Sequence, residues 1–182
     1  MPSVEERIAR VEELIGTHSD FPKPGINFKD IFPVMKNAEV FQDCISLLTE
    51  HVEHLTTPVD AIVGLDARGF IFGPLMAQRL NIPFIPVRKA GKLPGETIKY
   101  SYQLEYGSDT FEIQKSAVHC RQRVVIVDDL LATGGTMKAA AMLLKSLGAE
   151  VVECMVVIEL TSLKGRDKVP APLYSMIQYH DI

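Results

Sequence analysis

The sequence predicts an α/β fold with a central, mostly parallel sheet flanked by helices. Three observations carry that expectation. The apolar runs Ala61–Leu65, Phe84–Val87, Val124–Val127 and Val151–Ile158 lack the alternation of a half-solvated strand, so each reads as a strand covered on both faces. Stretches with helical periodicity separate these runs. Loops rich in Asp, Gly and basic residues leave the carboxyl ends of the strands, where open parallel sheets bind their ligands. The 182 residues fit one domain, 1–182, and contain no internal repeat, low-complexity tract or linker.

Ser3 and Glu6 form a capping-box pattern for a first helix with the apolar face Val4, Ile8, Val11 and Ile15, which Gly16 ends. A loop of turn formers follows from Phe21 to Ile31. A second helix starts at Asn37, runs to about Leu55 and buries Val40, Phe41, Cys44, Ile45, Leu48 and Val52. The strand at Ala61–Leu65 leads through Asp66–Gly69 into a helical stretch, Phe70–Leu80. The strand at Val124–Val127 ends at Asp128 and passes through Gly134 and Gly135 into a helix, Met137–Leu147, which Gly148 closes. One segment breaks the alternation. Lys89–Gln114 carries Gly91, Pro94, Gly95 and Gly107, with Tyr100, Tyr102, Leu104 and Tyr106 at alternate positions. It reads as a loop leading into a two-stranded ribbon that turns near Gly107–Ser108–Asp109, and an insertion of this kind commonly serves as a lid.

Composition limits the function classes. An apolar share of 47% excludes a disordered chain, and 19 basic against 23 acidic side chains leave a net charge of −4. That balance argues against nucleic acid or a membrane surface as the main partner. No apolar run approaches the roughly 18 residues of a membrane span, and the acidic, amphipathic N-terminal segment is not a secretory signal. Cys44, Cys120 and Cys154 make neither a disulfide framework nor a CxxC metal pattern, so a reducing, cytoplasmic location is expected. His51 and His54 have no third ligand nearby in sequence and read as surface helix residues.

The segment Val124–Met137 is the richest in chemistry. A strand delivers Asp128 and Asp129, and Ala132, Thr133, Gly134, Gly135 and Thr136 then open a helix. Glycines let the backbone approach a ligand closely, and the free N–H groups of a helix start favour a phosphate. Two carboxylates beside a phosphate nest fit a ligand that also presents sugar hydroxyls or a bound Mg²⁺. The expected ligand is a phosphorylated sugar. The spacing is neither GxxxxGK[ST] nor GxGxxG. Arg68, in Asp66–Ala67–Arg68–Gly69, offers a planar fork of donors, and Arg88, Lys89 and Lys92 concentrate further positive charge.

The string VVIVDDLLATGGTM resembles the phosphoribosyl pyrophosphate (PRPP) signature of the type I phosphoribosyltransferases. FPKPGINFKDI, GLDARGFIFGP, RKAGKLPG, LEYG, IQK and ELTSLKGR sharpen the match to the adenine phosphoribosyltransferases, over a stretch from about Phe21 to Gln178. The resemblance implies the type I phosphoribosyltransferase fold, with an N-terminal base-binding hood over about residues 1–35 and a flexible β-ribbon lid over about residues 89–114. It implies purine salvage: adenine and PRPP give AMP and pyrophosphate, with Mg²⁺ held mainly by PRPP and Asp128 and Asp129 nearby. A homodimer is implied as well.

By the same resemblance, Asp128 and Asp129 grip the ribose hydroxyls, and the Ala132–Thr136 turn anchors the 5-phosphate. Asp66, Ala67 and Arg68 hold pyrophosphate, often across a cis peptide, together with Arg88, Lys89 and Lys92, the last serving the neighbouring subunit. Glu105 exchanges a proton with the purine, and Tyr106 closes over the ribose or the reacting groups. Ile26, Asn27, Phe28 and Lys29 recognise the base, opposite Leu160. Ala67 stands where serine is common in such relatives, and Lys29 where arginine is common. The alternatives are a diverged, weakly active or non-adenine purine phosphoribosyltransferase, and a PRPP-sensing regulator.

Overall fold

The computed structural model describes residues 2–103 and 108–180. The elements are α1 (Val4–Leu14), β1 (Gly16–His18), β2 (Phe28–Asp30), α2 (Phe32–Met35), α3 (Ala38–Glu53), β3 (Ala61–Leu65), α4 (Gly69–Leu80), β4 (Phe84–Lys89), β5 (Thr97–Gln103), β6 (Ser108–Gln114), β7 (Arg123–Leu131), α5 (Gly135–Ser146), β8 (Glu150–Leu160) and β9 (Leu173–Tyr179). Among the described residues the main sheet has the order β5-β6-β4-β3-β7-β8-β9. Strands β4, β3, β7, β8 and β9 are parallel, while β6 runs antiparallel to β4 and pairs with β5 as a ribbon.

Why the strands read as continuous apolar runs is visible in the packing. Ile62, Val125 and Val127 face α3 and α4, with Leu48, Phe72 and Met76, whereas Ala61, Val63, Val124 and Ile126 face α5, with Met137, Ala140 and Leu144. Both faces of the central strands are buried, so neither set of alternate positions can be polar. Phe111 and Ile113 of the ribbon join the second cluster, which fixes the base of the ribbon against the body. Fully burying aliphatic side chains of this size contributes about 1.5–3 kcal/mol each.

The first helix has the expected capping box, with the Glu6 N–H donating to Ser3 Oγ and the Ser3 N–H to Glu6 Oε2. Val11 is fully buried, but Val4 is exposed, and Ile15, rather than Gly16, caps the helix; Gly16 opens β1. Asn37 caps α3 by accepting from the Val40 N–H. Several boundaries differ from the sequence reading. Strand β7 does not stop at Asp128 but continues to Leu131, because the longer β8 offers Ile158 and Glu159 as partners for Leu130 and Leu131. The Phe21–Ile31 loop contains β2, which pairs with β1, and α2 and β9 are elements the apolar pattern did not mark. His51 is not a free surface residue: its Nε2 lies 2.7 Å from Glu153 Oε2 and its ring stacks on Tyr174. All three cysteines are free; Cys44 and Cys154 are buried, which pushes each thiol up to about 12, and Cys120 is exposed. Among the described residues no helix is long and apolar enough to cross a membrane.

One glycine sets how closely α4 and β7 meet at the carboxyl end of the sheet. A Cβ on Gly69, the first residue of α4, would sit 2.5 Å from Val127 O and 3.5 Å from Asp128 Cα. The start of α4 therefore abuts the backbone of β7 just before its two carboxylates. Gly69→Ala must displace one or the other, and a forced shift of this kind costs about 1–3 kcal/mol. The midpoint of urea unfolding should fall by the corresponding amount with an unchanged m-value; an unmoved midpoint would contradict the close approach.

Candidate functional site

The carboxyl ends of β3 and β7 open into a cavity of about 330 Å³. Asp66, Ala67 and Arg68, Asp128 and Asp129, and the Ala132–Thr136 turn line it, and Lys89, Tyr102 and Asp109 complete it from β4 and the ribbon. Two helix N-termini border this space, and neither has a side-chain cap. Helix α4 begins after Arg68, and α5 begins after Gly134, whose φ of 78° lies in the left-handed region. At α4 the Phe70 and Ile71 N–H groups already donate to Ala67 O and Arg68 O, so its dipole, together with the N–H groups and dipole of α5, favours an anion. The Asp66–Ala67 peptide is cis, in keeping with the resemblance.

Three carboxylate–cation pairs surround the cavity. Arg68 Nε lies 2.8 Å from Asp129 Oδ2, Arg88 Nε donates to Asp66 Oδ2 at 2.9 Å, and Lys89 Nζ is 3.0 Å from Asp109 Oδ2. Asp129 is only 2% exposed, and its Oδ2, although close to Arg68, accepts no well-directed hydrogen bond among the described residues. Asp128 has no cation within ion-pair distance among those residues; its Oδ1 accepts the Asp129 N–H. Burial and the neighbouring Asp129 charge raise the Asp128 carboxyl well above the usual aspartate range. Burial also raises Asp129, against the opposing pull of Arg68. Asp109 goes the other way: burial would raise it, but Lys89 and the Thr110 N–H hold it below its ordinary value.

The structure thus gathers most of the residues singled out for the sugar, its 5-phosphate and pyrophosphate. Arg88 reaches the site through Asp66 rather than by lining the cavity. Lys92 is exposed and does not line it; its N–H donates instead to the buried Glu112, whose carboxylate also accepts from Leu93 and Thr97 and shapes the loop before β5. The base-binding segment lies alongside: the Phe28 ring is 5.8 Å from the Arg68 guanidinium and meets Phe21 edge-on, while Ile26 and Asn27 are exposed. Lys29 Nζ donates to Thr17 Oγ1 and sits 4.0 Å over the Tyr179 ring, so its charge is already engaged. Leu160 is buried at the end of β8, beside Tyr179 in register. Glu105 and Tyr106 lie outside the described residues.

Sequence reasoning missed Tyr102 and Asp109. The ribbon alternation puts Tyr102 in view, but Asp109 has the local context of a turn residue, and nothing nearby marks it as the partner of Lys89. Sequence reasoning also missed a role for Glu159, 3% exposed, which opens the quoted string ELTSLKGR and otherwise stands out only as a carboxylate closing an apolar run.

No three His, Cys, Asp or Glu side chains among the described residues come together to hold a metal ion. Two adjacent carboxylates, one with a buried oxygen accepting no hydrogen bond, nevertheless fit a divalent ion that takes its other ligands from a bound substrate.

Comparison with known proteins agrees with this geometry. The phosphoribosyl transferase domain family matches residues 34–179. Human adenine phosphoribosyltransferase is 51% identical over 177 residues, covering 96% of this chain and 98% of the human protein. The crystal structure of the Saccharomyces cerevisiae adenine phosphoribosyltransferase, complexed with an imino-altritol bisphosphate and adenine, superposes with a TM-score of 0.92 at 43% identity over 95% of this chain and 99% of that one. The Trypanosoma brucei enzyme, in complex with AMP, pyrophosphate and ribose-5-phosphate, gives 0.87 at 29% identity, covering 98% and 82%. The chain belongs to the phosphoribosyltransferase family, on its adenine phosphoribosyltransferase branch.

Proposed function

We propose that this chain is a purine salvage enzyme that transfers the 5-phosphoribosyl group of PRPP to adenine, giving AMP and pyrophosphate. The observation that carries the reading is a cavity in which two helix starts without side-chain caps, the cations Arg68 and Lys89 and two adjacent carboxylates, Asp128 partly buried and Asp129 buried, meet, with Arg88 held at its edge by Asp66. A ligand that satisfies all of them must present phosphate at two places and hydroxyls between.

In this reading the N–H groups and hydroxyls of Thr133–Thr136 bind the 5-phosphate, and Asp128 and Asp129 accept from the ribose hydroxyls. Arg68, Arg88 and Lys89 meet the pyrophosphate, with the N–H groups of Ala67–Gly69. The C1–O bond breaks with its electron pair leaving on pyrophosphate, and the C1–N9 bond forms. The two carboxylates oppose the positive charge that develops on the ribose, and the arginines oppose the charge on the leaving group. Binding at the distant 5-phosphate holds the sugar in line for the transfer. The N9 proton of adenine goes to Glu105, the role its LEYG context implies, and the ribbon residues 89–114 act as the lid with Tyr106. Phe28 supplies a flat face for the purine and Leu160 the opposite wall, within a hood made by residues 1–35. Mg²⁺, held mainly by PRPP with Asp128 and Asp129 nearby, would supply Lewis-acid stabilisation of the departing pyrophosphate. The single domain works in the cytoplasm, which three free cysteines favour, and as a homodimer, which sedimentation velocity would test.

Incubating the protein with Mg²⁺, PRPP and adenine, hypoxanthine or guanine, and following pyrophosphate release, should give turnover with adenine alone. PRPP binding without turnover would favour a sensor instead. Arg68→Ala and Asp129→Asn should each lower kcat/KM by about a hundredfold or more, the scale of losing one electrostatic contact to the transition state. Wild-type rates in both would overturn the site. In Glu105→Gln the pH–rate profile should lose one limb.

Asp128 adds a pH test. Its carboxyl holds a proton to higher pH in the folded chain than in the unfolded one, so the folded state binds more protons and stability falls as pH rises from about 4. Asp128→Asn removes that loss. Its Tm should match or exceed wild type at pH 7, with the advantage vanishing near pH 4, while activity drops; a lower Tm at pH 7 would contradict the assignment.

A further inference from the structure

The 5-phosphate turn does not stand on its own backbone. A Cβ on Gly134 would lie 2.2 Å from Gly165 O, and one on Gly165 would lie 2.1 Å from Ala132 O and 2.9 Å from Gly134 N. The segment after β8 therefore presses, backbone to backbone, on the turn that opens α5. That segment is two short 3₁₀ turns, Thr161–Leu163 and Gly165–Lys168, joined at Lys164 with a φ of 51°. Such short turns have little hold on position by themselves.

Thr161 Oγ1 anchors the first turn by donating to Tyr179 O at 3.1 Å, and what holds the second, which carries Gly165, is the residue after it. The Arg166 guanidinium grips Glu159 with two nitrogens, Nε at 3.0 Å and the closer Nη2, and donates through Nη1 to Leu173 O at 2.6 Å. Glu159 accepts further bonds from Ser175 Oγ at 2.6 Å and Gln178 Nε2 at 3.2 Å. Burial would raise this carboxyl, but Arg166, Ser175 and Gln178 keep it below the ordinary glutamate value, so it remains charged in a site that is 3% exposed. Glu159 also pairs in register with Leu131, the last residue of β7 before the turn. One carboxylate is thus connected to both sides of residues 132–134: along β7 through Leu131, and across Arg166 through Gly165. A fork of donors, rather than a flexible point charge, suits this task.

We infer that Arg166 and Glu159 are positioning residues that set the 5-phosphate turn by holding Gly165 against Ala132 and Gly134. The role rests on the PRPP reading of that turn. It acts on one end of the substrate only. Leu160, next to Glu159, is the proposed base wall, so a general loosening of the end of β8 would weaken adenine binding as much as PRPP binding.

The test is a split between the two KM values. Arg166→Ala should raise the KM for PRPP at least tenfold and leave that for adenine within twofold, and calorimetric binding of ribose 5-phosphate, without turnover, should weaken in parallel. Arg166→Lys, which keeps the charge but not the fork, should fall between. Because Arg166→Ala strands a buried carboxylate and can cost folding, the double variant Glu159→Gln/Arg166→Gln provides a neutral pair. It should recover a wild-type Tm while the PRPP KM stays raised. Gly165→Ala, with the ion pair intact, should reproduce the same split. A wild-type PRPP KM in the double variant, or equal rises in both KM values, would overturn the inference while wild-type turnover leaves the PRPP reading standing. A wild-type chain that neither binds nor turns over PRPP would bring down both.

Discussion

The constraint on which the site depends is the prior pairing of its cations. Arg68, Arg88 and Lys89 are each held by one aspartate, Asp129, Asp66 and Asp109, from three different parts of the chain. Exposed ion pairs add little to stability, but these do something else. They fix where a guanidinium or ammonium rests before any ligand arrives, so less rotamer entropy is lost on binding. They also keep a cluster of like charges from repelling one another in a partly buried space.

That arrangement is only reachable because backbones come unusually close. Gly69 lets α4 begin against β7, which puts Arg68 beside Asp129, and Gly165 lets the segment after β8 lie on the Ala132–Gly134 turn. The sheet order does the rest. With β3 and β7 adjacent and parallel, the Asp66–Gly69 turn and the Asp128–Thr136 segment leave the same edge side by side. Strand β4, on the other side of β3, brings Arg88 and Lys89 to that edge. The fold thus converges residues that are more than sixty positions apart in the chain.

How much of this is legible in the sequence depends on the range of the forces involved. Local signals are reliable: the Ser3–Glu6 box, the Asn37 cap and the apolar strands all depend on neighbours within a few residues. The end of β7 is not legible, because Leu130 and Leu131 stay in the sheet through partners on β8 rather than through any preference of their own. Strand β9 hides for a related reason: as an edge strand its Tyr174 and Ser175 are only partly covered and its Gln178 is exposed, so its run is mixed in polarity. The chemistry of the two loops is visible as composition, but not which aspartate holds which cation. His51 shows the same limit. Its partners Glu153 and Tyr174 are about a hundred residues away, and on its own helix it looks like any solvated histidine.

In the proposed reading, the pairing also bears on which ligand the site accepts. A bare polyanion that draws Arg68, Arg88 and Lys89 toward itself leaves their more buried carboxylates without compensation, and that cost offsets part of the attraction. In that reading, a ligand with hydroxyls beside its phosphates would supply donors for Asp128 and Asp129 as Arg68 turns toward the phosphate. A divalent ion carried in by that ligand would compensate the same carboxylates again. The mild acidity of the chain is therefore no obstacle to binding a highly charged sugar phosphate. In the proposed reading the free energy of binding depends on the hydroxyls and the metal arriving together with the phosphates, so Asp129, which holds Arg68 in the free site, also discriminates against phosphate or pyrophosphate alone.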